Sequence, residues 1–273
     1  MAIFEFEGRK VYYERHGAGR PFLLLNGIMM STRSWLPFIE TLCEHNQLLL
    51  VDMLDQGQSD KLAGQTYTQA IQVKMLVSLI KHLGFDKISL AGISYGGEIA
   101  LQMATSNPRL VERLVLFNTA AYTSPQLLDV GRAWNKAAQT GDGQAYYYTT
   151  IPVIYSPAYY ERKLEWMKKR EQVLLPIFSN RDFTEAMIRL TLSAESHDVR
   201  DQLGQINAPT LVISSDQDFL TPIADQKYLA THIKGASHVV IQNTGHASMY
   251  EQPSVFLTLM LGFINLKETN FVF

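Results

Sequence analysis

The chain has 273 residues, 47% hydrophobic and 18% charged, with a formal net charge of −2. That is enough for one large α/β domain or a core carrying an insertion, and it gives no general electrostatic reason to bind DNA, RNA or an anionic membrane. The single cysteine, Cys43, excludes an intramolecular disulfide, and with neither a Cys-x-x-Cys pair nor a Cys/His cluster no zinc site is expected; a reducing cytoplasm fits best.

The opening MAIFEFEGRK carries Glu5 and Glu7 where a secretory signal needs an apolar core, so no export signal is expected. The runs IFEFEG and KVYYERHG predict a hairpin. After it, FLLLN and QLLLVDM read as near-continuous apolar strands, of the kind buried on both faces. The stretch TYTQAIQVKMLVSLIKHLG has apolar residues at helical spacing and ends on Gly84. The strand ISLAGI leads through Ser94 into a second helix, GGEIALQMATSNP, which stops before Pro108; RLVLFN is the next strand. From 121 to 208 the alternation fails, and breakers such as TGDG and YSP separate candidate helices at 125–140, 159–174 and 183–193. Tyrosine is dense here, in AYYYTTIPVIYSPAYY, and packs well as the core of a helical piece. The strands TLVISS and HVVIQN bring the total to eight, and VFLTLMLGFI at 255–264 is about half of the roughly 20 residues a membrane span requires. The expected fold is α/β, an eight-stranded mostly parallel sheet flanked by helices and built from 1–120 and 209–273, with 121–208 inserted as a helical cap.

The stretch LAGISYGG at 90–97 places Ser94 two residues from a glycine on either side, between a buried strand and a helix. A sharp turn of this kind exposes a serine oxygen, Gly92, Gly96 and Gly97 leave room for it, and the helix N-terminus favours negative charge there. Serine is a poor nucleophile without a base to take its proton and a carboxylate to orient that base. Of seven histidines, His246 follows the last strand and so lies at the sheet edge that carries Ser94. His238 begins that strand at the opposite edge, while His16, His45, His82, His197 and His232 are expected in surface turns or helices elsewhere. The acid should follow an intervening strand, where LVISSDQDFLTP offers Asp216 and Asp218. Asp216 is placed to cap the turn; Asp218, two residues further, can reach inward. The other acid position, after RLVLF, holds Asn118, which carries no charge.

With LLLNGIMMSTRSW, DMLDQGQSD, LAGISYGG, ISSDQDFLTP and NTGHASMYEQP in this order, nearly the whole chain resembles the α/β-hydrolase fold family, in its branch with a helical cap after the sixth strand. The resemblance implies Ser94, Asp218 and His246 as a catalytic triad, and backbone oxyanion donors at Tyr95 and Ile28, with Met29 the alternative to Ile28. The chain departs from the family pattern at Asn26, where histidine is common, and at Asp55, where glycine is usual. Asp52 and Asp55 then read as turn-forming residues. Ser94 also speaks against the related epoxide hydrolases and haloalkane dehalogenases, which use aspartate there. The implied reaction is hydrolysis of a carboxylic ester or lactone through an acyl-enzyme that water resolves, with no metal or organic cofactor needed. Carbon–carbon bond hydrolysis, cofactor-free perhydrolysis, acyl transfer and slow ligand binding as a receptor are the alternatives. Ile28, Met29, Met30, Tyr95 and Leu220, with the cap's tyrosines and methionines, predict a mainly apolar pocket for a small or medium substrate, Met29 and Leu220 touching it. Arg33 is expected either to bind a substrate carboxylate, as an enol-lactone hydrolase would need, or to lie solvated at the surface. Oligomeric state and the identity of the acyl and leaving groups stay open.

Overall fold

A computed structural model describes residues 2–268; Met1 and 269–273, the outermost residues of the expected core, lie outside them. Eight strands, β1 (Ala2–Phe6), β2 (Arg9–His16), β3 (Arg20–Leu25), β4 (Asn46–Val51), β5 (Ile88–Ile93), β6 (Val111–Phe117), β7 (Thr210–Ser215) and β8 (Ser237–Ile241), form one sheet in the order β1-β2-β4-β3-β5-β6-β7-β8. The first two pairings, β1 with β2 and β2 with β4, are antiparallel; the rest are parallel. The hairpin turns on Glu7 and Gly8, both at positive φ (49° and 75°), the backbone that matches strand twist in a two-residue loop. Every residue of β5 and β7 is buried, which explains their near-continuous apolar reading: helices cover both faces of a parallel sheet.

The helices in chain order are α1 (Ile39–Leu42), α2 (Ala70–His82), α3 (Tyr95–Ser106), α4 (Pro125–Gln139), α5 (Gly143–Thr150), α6 (Pro157–Arg162), α7 (Leu164–Phe178), α8 (Arg181–Ala194), α9 (Ile223–His232), α10 (Ser248–Glu251) and α11 (Pro253–Asn265). Phe117 of β6 packs on Phe256 of α11 at 4.2 Å between ring centres, and Trp35 stacks on Phe256 at 6.1 Å. This aromatic column ties the last helix to the centre of the sheet.

Helices α4 to α8 fill the chain between β6 and β7. Ser124, Asp142, Ser156 and Asn180 cap four of them with side-chain oxygens, and Pro125 and Pro157 stand just inside two starts, where proline costs nothing. One of these helices, α5, is absent from the sequence-based prediction, and the single helix expected at 159–174 is divided into α6 and α7. The Tyr/Thr-rich sequence of α5 has weak helix propensity, and burial decides instead: Tyr146 meets Phe178 edge-on at 4.9 Å, and Tyr147 is fully buried. Helix α7 also runs past 174, to Phe178, with Pro176 inside its last turn, where the ring removes one i→i−4 hydrogen bond.

Two histidines depart from expectation. His197 is buried rather than superficial: it follows α8 with Nε2 3.0 Å from the Ala120 carbonyl and Nδ1 3.0 Å from Gln102, and burial pushes it down to about 4, so it is neutral. His16, similarly, ends β2 against Glu14 at 2.8 Å.

Candidate active site

The parallel registers pair Ile93 with Phe117, Phe117 with Ile213 and Ser215 with Ile241. The carboxyl ends of β5 to β8 are thus level, and the segments after them converge on one edge, where ligands bind in open α/β sheets. Ser94 follows β5 at φ 54°, ψ −123°, a backbone strained for any residue but glycine. Neighbouring hydrogen bonds hold it: its N–H donates to Phe117 O at 3.0 Å, and Thr119 Oγ1 donates to its carbonyl at 2.9 Å. The flanking glycines are sterically required. A Cβ on Gly92 would stand 2.3 Å from Gly96 O, and one on Gly96 2.6 Å from Asn26 O, so strand, turn and the loop after β3 close only without side chains there.

After β7, the Asp218 carboxylate is buried and receives five donors. Oδ1 accepts the Leu220 and Thr221 amides at 2.8 and 3.0 Å; Oδ2 accepts Thr221 Oγ1 at 2.8 Å, Asn118 Nδ2 at 2.9 Å and His246 Nδ1 at 2.8 Å. These donors compensate a charge that would otherwise be costly to bury. Because an ionised carboxylate only accepts, the proton on the His246 ring sits at Nδ1 and Nε2 carries the lone pair. Asp216 instead accepts the Thr244 amide at 3.1 Å, tying the loop after β7 to the loop that carries His246. Nearby, burial and then the Asp218 charge push Asp225 up to about 6.

Ser94 and His246 line the same cavity, of about 100 Å3, with Met29 and Leu220; among the described residues no hydrogen bond joins Ser94 Oγ to His246, and such contacts tighten when substrate binds. A second cavity, of about 70 Å3, also opens on Ser94 and is lined by Tyr95, Glu98, Leu127 and Val130. Ile28, Leu220 and Trp134 border both. Trp134, contributed by α4, did not stand out in the sequence, where it reads as an ordinary helix residue. The Ile28, Met29 and Tyr95 amides have no hydrogen-bond partner among the described residues, leaving them free to serve an oxyanion.

Asn26 does more than replace a histidine. Its Nδ2 donates to Val51 O at 2.8 Å and Gln56 Oε1 at 3.1 Å, its Oδ1 accepts Trp35 Nε1 at 2.7 Å, and Gln56 Nε2 in turn donates to Gly27 O at 2.9 Å. The loop of Ile28 and Met29 is braced by amides. Asp52 behaves as a turn former, accepting the Thr32 and Gln58 amides. Asp55 is a turn residue too, at φ 71°, but reading it as that alone needs correction: its buried carboxylate accepts Arg189 Nη2 at 2.6 Å and Nε at 3.0 Å, and Tyr67 OH at 2.7 Å. It anchors α8 of the insertion to the core. Asn118, read from the sequence only as a missing charge, supplies a donor to Asp218. Arg33 is exposed and lines neither cavity of Ser94; the surface alternative for it holds.

Among the described residues no group of three or more His, Cys, Asp or Glu is placed to hold a metal ion, and no helix is long and apolar enough to cross a membrane.

The family model described as alpha/beta hydrolase fold matches residues 20–253. The chain is 48% identical to MGS-M2, an alpha/beta hydrolase enzyme from a Medee basin deep-sea metagenome library, whose crystal structure superposes with a TM-score of 0.98 over 100% of both chains. RutD of Azorhizobium caulinodans, named as a candidate carbamate hydrolase, is 26% identical over 254 residues, 93% of this chain and 94% of RutD. Est816, described as an N-acyl homoserine lactone degrading enzyme, is 25% identical with a TM-score of 0.81, covering 96% of this chain and 100% of its own.

Proposed function

The chain belongs to the α/β-hydrolase fold family, and from that premise we propose that it is a serine hydrolase that cleaves a carboxylic ester or lactone through an acyl-enzyme on Ser94. Relatives described as hydrolases of carbamates and lactones support a hydrolase acting on ester-type bonds. The observation that carries the serine reading is the strained Ser94 turn opening onto the cavity that the Asp218-oriented His246 also lines.

In this reading His246 Nε2 takes the Ser94 proton as the oxygen attacks the carbonyl carbon, a contribution of about 10²–10⁴-fold for the proton transfer. The tetrahedral oxyanion is held by the Tyr95 and Ile28 amides, each such donor being worth about 10²–10³-fold. Collapse breaks the bond to the leaving oxygen, which His246 protonates. Water, deprotonated by His246, then attacks the acyl carbon and frees Ser94 with the product acid. The apolar walls, Met29 and Leu220 among them, favour a small to medium substrate that is mainly hydrocarbon around the reacting carbonyl.

A rate panel of p-nitrophenyl esters of rising acyl length, with simple lactones beside them, tests this against Ser94→Ala. The variant is expected to lose hydrolysis by about 10⁴-fold or more. Full hydrolysis by Ser94→Ala would overturn the reading.

A further inference from the structure

Arg170, on α7 of the insertion, lines the cavity of Ser94 and His246 and is the one Lys or Arg to do so among the described residues; no Asp or Glu lines it. Its guanidinium carbon lies 4.7 Å from the Tyr250 ring centre, 5.2 Å from Trp166 and 5.9 Å from Tyr155. Tyr155 and Tyr250 are themselves cavity walls.

Aromatic faces attract a cation, but they do not accept the in-plane N–H bonds of a guanidinium in the way an oxygen does. Among the described residues the Arg170 side chain donates no hydrogen bond and joins no ion pair, and its Nε is buried without an acceptor. The carboxylates closest in sequence to its surroundings are engaged elsewhere: Glu171 accepts Tyr148 OH at 2.6 Å, and Glu251 accepts the Ser156 amide at 2.8 Å and its hydroxyl at 2.5 Å. The contrast with Arg189 is direct, since that insertion arginine reaches a buried carboxylate, Asp55. A buried donor left unpaired is costly, a cost that a carboxylate ligand removes through paired charge-assisted bonds matched to the planar fork of arginine.

We propose that Arg170 binds a carboxylate carried by the substrate, so that this site takes anionic esters or lactones: a monoester of a dicarboxylic acid, or an ester or lactone whose other arm bears a free carboxylate. The inference rests on the Ser94 hydrolase reading and adds the substrate's charge to it. The apolar walls then meet the hydrocarbon segment between the two carbonyl carbons.

Two matched pairs of substrates test it. The p-nitrophenyl monoester of glutaric acid is compared with p-nitrophenyl valerate, and 4-carboxyphenyl valerate with phenyl valerate, which places the charge on the acyl or the leaving side. In Arg170→Gln the anionic-to-neutral ratio of kcat/KM is expected to fall at least tenfold in one pair. A ratio measured on one preparation does not depend on its folded fraction. Should Arg170→Gln not fold, Arg170→Lys, which keeps the charge without the fork, is expected to lower the same ratio severalfold. Ratios unchanged in both pairs would overturn the proposal, while hydrolysis retained by Ser94→Ala would overturn the hydrolase reading instead. A calorimetric titration of glutarate into Ser94→Ala gives an answer without turnover: binding that weakens at least tenfold on adding Arg170→Gln supports the proposal, and equal binding overturns it.

Discussion

Glu98 stands one turn after Ser94 on α3, its amide bonded to the Ser94 carbonyl at 3.1 Å, and its side chain is 5% exposed. Burial pushes its carboxyl up to about 8, against the opposing effect of the hydrogen bond from Gln69 Nε2 at 2.5 Å. It is therefore mainly neutral at pH 7, which keeps a fixed anion out of the second cavity of Ser94. The consequence for stability has a definite sign. Between the ordinary value of 4.5 and about 8, the unfolded chain releases this proton while the folded chain keeps it. The folded state binds more protons, so stability falls as pH rises through that window and levels off above it. At about 1.4 kcal/mol per pH unit the loss is at most about 5 kcal/mol, and relaxation of the site with entry of water reduces it to about 2–4 kcal/mol. Glu98→Gln has nearly the same shape, keeps an oxygen for Gln69 and does not titrate. Urea unfolding of both proteins at pH 5, 6, 7 and 8, read by circular dichroism, isolates the difference because all other groups are shared. The variant is expected to gain about 2–4 kcal/mol on the parent between pH 5 and pH 8. A difference constant with pH, or one that grows in favour of the parent, would refute the reasoning.

Arg189→Met leaves the Asp55 carboxylate buried without its cation and is expected to cost about 3 kcal/mol; paired with Asp55→Asn it should cost clearly less than the two single changes together, and additive losses in urea unfolding would speak against the ion pair. Asn118→Asp sets a second carboxylate where an amide now donates to Asp218 at 2.9 Å. Repulsion between the two disturbs the His246 partner, and kcat for a neutral ester at pH 7 is expected to fall tenfold or more, with an unchanged kcat counting against a positioning role for Asn118. Gly96→Ala would force a Cβ to within 2.6 Å of the Asn26 carbonyl; a loss of about 3 kcal/mol or failure to fold is expected, and a melting temperature equal to the parent's would show that the turn is looser than described.

The sheet and the Ser94 turn were legible because both are written in neighbouring residues. A strand covered on both faces is buried at every position, as β5 and β7 are, and so reads as a mainly apolar run; the turn's needs, small residues beside a serine between strand and helix, fall within eight positions. Asp218 and His246 could be placed because each follows a recognisable strand. What stayed hidden depends on partners far along the chain. Asp55 looks like any turn aspartate until Arg189, 134 residues on, meets it. Asn118 signals only the absence of charge until its amide is seen against Asp218. Arg170 stands directly after Lys168 and Lys169 in a run that reads as a solvated face, and only the packed helix turns it toward Trp166 and Tyr250. Helix α5 was missed because tertiary burial of its tyrosines overrides their weak local preference.

The proposed hydrolysis requires Ser94 as the nucleophile and His246 as the base that activates it. Labelling with an aryl phosphonate, followed by peptide mapping by mass spectrometry and a parallel assay of ester hydrolysis, tests this most directly. One phosphonyl group per chain on the peptide bearing Ser94, with hydrolysis lost in proportion, is the predicted result. Hydrolysis undiminished after Ser94 is fully labelled, or complete inactivation with the label on another residue, would contradict it.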